Sequence, residues 1–190
     1  MKYRILLYFL FFLILAAKPQ TVEAQNVAIS TNAVDWLNFG TANIGVGVDV
    51  SRHFSVEAGA RYNPWSFIRK SSGLAVMNRQ TTAFVGVRFW PWYIFSGWWI
   101  AARCQYSDFS DTGIWRYALN EGKALGASLS FGYTLMLSKH FNMEFGAGVW
   151  GGRLLEHNLY HCPQCMRIRE SGPKAFIAPD NISVSVMYLF

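Results

Sequence analysis

Apolar and polar residues alternate with a period of two through most of the chain, the pattern of strands with one apolar and one polar face. The first such segment spans residues 27–36. The second sets Ile44, Val46, Val48 and Val50 against Asn43, Gly45, Gly47 and Asp49. The third sets Phe54, Val56, Ala58, Ala60 and Tyr62 against Ser55, Glu57, Gly59 and Arg61. The fourth opposes Ala83, Val85, Val87 and Phe89 to Thr82, Phe84, Gly86, Arg88 and Trp90. The fifth opposes Trp98, Ile100, Ala102 and Cys104 to Trp99, Ala101, Arg103 and Gln105. The sixth runs from Leu125 to Leu137 and the seventh from Phe141 to Val149. The eighth is the tail, with Ile182, Val184, Val186, Tyr188 and Phe190 on one face.

The links sort by length. Ser51-Arg52-His53 and Ser138-Lys139-His140 are tight turns, and residues 91–97 form a third short link in which Pro91 ends the ladder. Residues 63–80, 107–121 and 151–180 read as long loops at the other rim, and the link near residues 38–41 is short. Eight antiparallel strands with short turns at one rim and long loops at the other predict an all-β, eight-stranded transmembrane β-barrel. The turns are then periplasmic, the loops extracellular, and both termini lie at the turn rim. An interior of that size is filled by side chains, which excludes a wide pore.

A soluble barrel would turn its apolar face inward. The polar face here is rich in Gly and Ser and carries Asp49, Glu57, Arg61, Arg88, Arg103 and Glu144. Buried charges need partners. A closed lumen could pair Glu57 and Glu144 with Arg61, Arg88 and Arg103. Aromatics such as Tyr62, Trp65, Phe89, Trp92, Tyr93, Trp98, Tyr106, Tyr133 and Tyr188 fall mostly near strand ends, as an interfacial girdle requires. The apolar face is therefore expected to point outward, to lipid.

The ends fit this reading. Lys2 and Arg4 precede an apolar run over residues 5–17, and Val22-Glu23-Ala24 offers a cleavage site, so residues 1–24 read as a secretory signal and 25–190 as the barrel. The tail resembles the closing strand of bacterial outer-membrane barrels, with Val186, Tyr188 and Phe190 as its assembly signal. Hydrophobic residues make up 52% and aromatics 17%, rich for a soluble protein with so few charges. The net charge of +6 falls to +4 without Lys2, Arg4, Lys18 and Glu23, and no basic stripe of the kind nucleic-acid binding needs is present.

Two segments echo each other. Ser51-Arg52-His53-Phe54-Ser55-Val56-Glu57 aligns with Ser138-Lys139-His140-Phe141-Asn142-Met143-Glu144. Four strands separate them, which puts Glu57 and Glu144 at one height on opposite walls. Duplication of a four-stranded half and shared turn constraints both account for this.

Several short motifs carry a wider likeness: Arg61-Tyr62-Asn63-Pro64-Trp65, Val87-Arg88-Phe89-Trp90, Gly132-Tyr133 with Leu137-Ser138-Lys139, Cys162-Pro163-Gln164-Cys165, and Met187-Tyr188-Leu189-Phe190. On these the chain resembles a family of Bacteroidota outer-membrane β-barrel proteins of unknown function, some of which are encoded beside fimbrial clusters. The resemblance implies fold and location and supplies no activity.

Candidate chemistry is sparse. His157, His161, Cys162 and Cys165 have a spacing that could hold zinc. In an oxidising compartment a Cys162–Cys165 disulfide is the favoured reading. Cys104 falls on the lipid face as a small apolar residue. His53 and His140 read as solvated turn residues. Arg167, Arg169 and Lys174 make the last loop basic, which suits either solvent or anionic lipid head groups. A lipid-modifying enzyme needs a nucleophile, imidazole and carboxylate converging at the loop rim. His157, Ser66 or Ser110, and Asp108 or Asp111 are the residues available, and their spacing is not diagnostic. The expectation is a non-enzymatic outer-membrane protein without a cofactor. Its expected partners are membrane lipids, the assembly machinery and an envelope or fimbrial protein. A lipid-modifying enzyme is the alternative.

Overall fold

The computed structural model describes residues 26–68, 75–112, 119–160 and 168–190. The expected signal segment, residues 1–24, lies outside them, as do His161, Cys162, Cys165 and Arg167. In chain order the elements are β1 (Val27–Asn32), α1 (Ala33–Leu37), β2 (Ala42–Ser51), β3 (Phe54–Asn63), β4 (Ser66–Ile68) and β5 (Ala75–Phe89). Then follow β6 (Gly97–Thr112), β7 (Leu119–Met136), β8 (Phe141–Tyr160), β9 (Ile168–Ser171) and β10 (Lys174–Leu189).

Every pairing is antiparallel. β1, β2, β3, β5, β6, β7, β8 and β10 pair in that order, and β10 returns to β1 to close a ring of eight. β4 and β9 lie on β5 and β8 as short additions. The strands do not stand evenly round one axis. β1, β2 and β3 have 6, 10 and 10 residues, while β8 has 20. One side of the ring therefore rises well beyond the other at the loop end.

The alternation locates the strands but not their ends. Much of what reads as long loops is strand: β6 continues to Thr112, β7 starts at Leu119, β8 runs to Tyr160 and β10 starts at Lys174. Polar residues occupy both faces of these extensions, which hides the period. The first strand is shorter than its pattern. It ends at Asn32, whose side chain accepts from Val34 N at 3.1 Å and caps α1. That side chain also accepts from Val184 N at 3.0 Å, so it takes over from the backbone where β1 leaves β10.

The two faces differ sharply. On the outer face Ile100 is 55% exposed and Leu129 62% exposed. Their sequence neighbours Trp99 and Ser128, on the inner face, are 1% and 2% exposed. Free Cys104 lies on the outer face. At the turn end an apolar cluster of Ala28, Trp90, Phe95, Trp99, Met187 and Leu189 fills the ring. Phe95 enters it from the β5–β6 link with a left-handed backbone, φ 55–60° being rare for a bulky residue (here 58°). Its carbonyl accepts from Asn142 Nδ2 at 2.7 Å. Glycines make room for the large inward rings. A Cβ on Gly132 would lie 2.4 Å from the Trp99 ring and one on Gly59 2.5 Å from Phe84.

Candidate functional site

Above the apolar cluster, toward the loop end, the interior is charged. Glu57 on β3 and Glu144 on β8 both bind Arg88 on β5. The Arg88 Nη2–Glu57 Oε2 distance is 2.6 Å, and Arg88 Nη1 donates to Glu144 Oε2. Arg103 on β6 donates through Nε to the other Glu57 oxygen. All four side chains are at least nine-tenths buried. The Arg88 guanidinium lies 4.1 Å from the Trp99 ring centroid and Arg103 lies 5.1 Å from that of Phe84, so cation–π contacts join Arg88 to the aromatic floor and Arg103 to a ring on its loop side.

Arg61, the fifth residue of the expected cluster, does not join Glu57 or Glu144. Its Nε lies 3.3 Å from Asp35 Oδ2 on α1, and its Nη1 lies 4.0 Å from Asp180 on β10. Arg103 Nη1 lies 3.9 Å from the other Asp180 oxygen. The physical reason is height. Arg61 pairs in register with Thr82, four residues along β5 from Gly86, which is opposite Glu57. At Arg61's level the helix α1 folds in and brings a nearer carboxylate. Burial pushes the Asp35 carboxyl up from its ordinary value, against the opposing pull of Arg61 and the Asn32 hydrogen bond.

Asp35 and Asp180 escaped sequence reasoning. Asp180 falls in an apparent loop. Asp35 had a usable signal, because Asn32-Ala33-Val34-Asp35 has the spacing of a helix start with an acidic third residue. A cavity of ≈ 60 Å³ runs beside the ionic layers, from Asp35 and Arg61 down to Phe95 and Met187, touching Ser30, Asn43, Ser183 and Ser185. It is polar-lined and roomy enough to hold water.

The turn histidines are not simply solvated. Trp90 N donates to the His53 carbonyl at 2.8 Å, and His53 Nδ1 lies 2.9 Å from the Trp90 carbonyl. Leu189 N donates to the His140 carbonyl at 2.8 Å, and His140 Nδ1 lies 3.0 Å from the Leu189 carbonyl. Each imidazole thus clips its turn to the end of the next strand of the ring. The following phenylalanines match too: Phe54 packs on Phe89 at 5.2 Å and Phe141 on Tyr188 at 5.0 Å.

At the loop end His157 Nε2 lies 3.0 Å from Asn120 Oδ1, and Asn120 Nδ2 donates to Asp111 Oδ1 at 3.0 Å. Ser110 pairs in register with Glu121, one position off the Asp111–Asn120 pair, and so lies on the other face of the sheet. Ser66 sits on β4. Among the described residues no serine joins His157. Asp108 pairs in register with Lys123. The Cys162–Cys165 pair and the zinc set with His161 lie outside the described residues.

At the closing seam Val186 pairs with Thr31 and Tyr188 with Ile29. Phe190 N donates to the Val27 carbonyl at 2.9 Å, and its ring meets Tyr188 edge-on at 4.7 Å.

A family model described as "Protein of unknown function (DUF3575)" matches residues 9–190. No curated protein and no solved structure matches the chain.

Proposed function

The chain belongs to this family of proteins of unknown function, so its role has to come from its own residues, and we propose that it is a non-enzymatic outer-membrane β-barrel. The observation that carries this reading is the inverted pattern of burial. The outer face exposes Ile44, Val85, Phe131, Val149 and Ile182, while Glu57, Arg88, Arg103 and Glu144 are buried inside. In water so large an apolar surface is unfavourable. In a bilayer it is the solvated face, and a closed ring leaves no unpaired strand edge in the hydrocarbon.

The interior supports a structural or surface-interaction role over transport. The apolar floor fills the turn end of the ring, and the cavity beside the ionic layers is small, ≈ 60 Å³. In this reading the tall side formed by β6, β7, β8 and β10 stands outside the cell and meets an envelope or surface partner. A cleaved leader, an origin in Bacteroidota and a link to fimbriae belong to the same proposal, and the quoted sequence motifs support them. The His157–Asn120–Asp111 chain ties three strands together and serves the structure of the tall side.

Reconstitution into vesicles with brominated acyl chains tests the reading. Quenching of the outward tryptophans is expected. A water-soluble monomer with unquenched fluorescence contradicts it.

A further inference from the structure

We propose that the turn end carries a binding groove for a carboxylated amino-sugar polymer, the chemistry of a bacterial cell-wall glycan. This deepens the barrel reading and rests on it, because that reading puts the turn end in the periplasm.

A groove of ≈ 610 Å³ lies between the β2–β3 turn and the β5–β6 link. Asp49, Ser51, Arg52 and His53 form one wall, and Trp92, Tyr93 and Ile94 form the other. Its volume falls within the range of about 300–1,000 Å³ that ligand sites occupy. Both walls are held. The reciprocal His53–Trp90 bonds join them directly. Buried Phe95 anchors the aromatic wall from inside the ring through its Asn142 bond, and Ser96 N donates to the Tyr93 carbonyl at 3.2 Å. The wall is thus preorganised, which lowers the ordering cost of binding.

The exposed rings define the ligand. Trp92 is 58% and Tyr93 78% exposed. An interfacial girdle is supplied by aromatics on the strands, such as Trp98 and Tyr133, which meet edge-on at 5.3 Å. Trp92 and Tyr93, which the sequence alone placed in that girdle, stand beyond the strands, in the link. Flat aromatic faces there suit the C–H face of a sugar ring. Arg52 offers a planar fork to a carboxylate. Asp49, Ser51 and His53 supply the polar groups that hydroxyls and acetamides need.

The echo gives an internal control. Ser138-Lys139-His140 repeats the local sequence, but its imidazole clips the end of β10 and stacks on Tyr188 of that strand at 5.8 Å, whereas the β5–β6 link sets Trp92 and Tyr93 opposite Arg52 and His53. The two turns share their local charge and differ in what stands opposite them, which makes Lys139 the matched comparison for Arg52.

The test is pelleting of the folded, detergent-purified full mature chain with insoluble peptidoglycan sacculi. Trp92→Ala with Tyr93→Ala, Arg52→Gln and Lys139→Gln are compared, each first shown to keep its heat-modifiable gel shift. The wild type and Lys139→Gln are expected to pellet, and the other two to lose at least about tenfold in affinity, ~1.4 kcal/mol. Soluble cell-wall fragments should compete, and anionic phospholipid vesicles should not. A folded wild type that stays in the supernatant overturns the groove alone. Equal weakening by Arg52→Gln and Lys139→Gln, or competition by vesicles, overturns it as well. A wild type without the gel shift overturns the barrel reading and, with it, the periplasmic placing of the groove.

Discussion

Glu57 and Glu144 reach from opposite sides of the ring to one guanidinium, that of Arg88. Their strands, β3 and β8, are four places apart in the ring of eight. The pair therefore works as a cross-tie. Removing the cation would leave two buried carboxylates facing each other with only Arg103 beside Glu57. Arg88→Ala is expected to cost about 3–5 kcal/mol, the range for breaking a buried ion pair. Adding Glu57→Gln and Glu144→Gln to that variant should recover part of the loss. Urea unfolding of the lipid-reconstituted protein, followed by tryptophan fluorescence, checks both.

The repeated histidines make a second, smaller prediction. His53→Ala and His140→Ala each remove one imidazole bond to a strand-end carbonyl. Each should cost about 0.5–1.5 kcal/mol, the net worth of one such bond. His140→Ala should also loosen the seam, since its partner Leu189 lies on the strand that closes the ring. Amide exchange at Leu189 and Phe190 measures this. Unchanged protection there would show the clip to be incidental.

The apolar floor should behave as a plug. Phe95→Ala is expected to destabilise by about 3–5 kcal/mol and to raise single-molecule conductance in planar bilayers above a near-zero wild type. Gly132→Ala should destabilise without opening the plug, because the new methyl would press on the Trp99 ring and the Phe145 carbonyl. Wild-type conductance equal to that of Phe95→Ala would contradict a closed floor.

Asp35 should show up in the pH dependence. Its carboxyl is raised, mainly by burial, so the folded state holds its proton more tightly than the unfolded state. Its favourable contribution is complete below the unfolded value and is lost as pH rises through the folded one. Asp35→Asn, which imitates the protonated acid, should therefore be at least as stable as wild type at neutral pH. The difference should shrink as pH falls into the carboxylate range. A neutral-pH loss with Asp35→Asn would mean that the Arg61 pairing outweighs burial.

How much was legible in the sequence follows from where the pattern is pure. Ile44 to Val50 and Leu125 to Leu135 alternate cleanly because the outer face is continuously apolar there, so strand identity, facing and ring order could be read. The tall extensions could not. Around Asp108 and Lys123 both faces are polar, and a two-residue period has no contrast to show. Arg88, Arg103, Glu57 and Glu144 were legible as residues of one face, and their meeting follows from closure. Arg61's partners were not, because α1 folds inward and Asp180 lies within an irregularity between Pro179 and Ile182. Phe95 was hidden for a different reason: a turn residue has no period, and only the facing glycines hint that large rings fill the interior.

The closing residue carries its own prediction. Phe190 adds a backbone bond to Val27 and a ring contact to Tyr188. Its deletion should slow assembly and lower the folded fraction, read as the unshifted band on an unboiled gel. Normal folded levels would show the tail to be dispensable.

The most direct measurement is fractionation of cells expressing the full chain, with each fraction run boiled and unboiled on a denaturing gel. The expected result is a detergent-resistant outer-membrane band whose unboiled form migrates faster than its boiled form. A soluble protein with identical mobility under both conditions would contradict a membrane-spanning barrel.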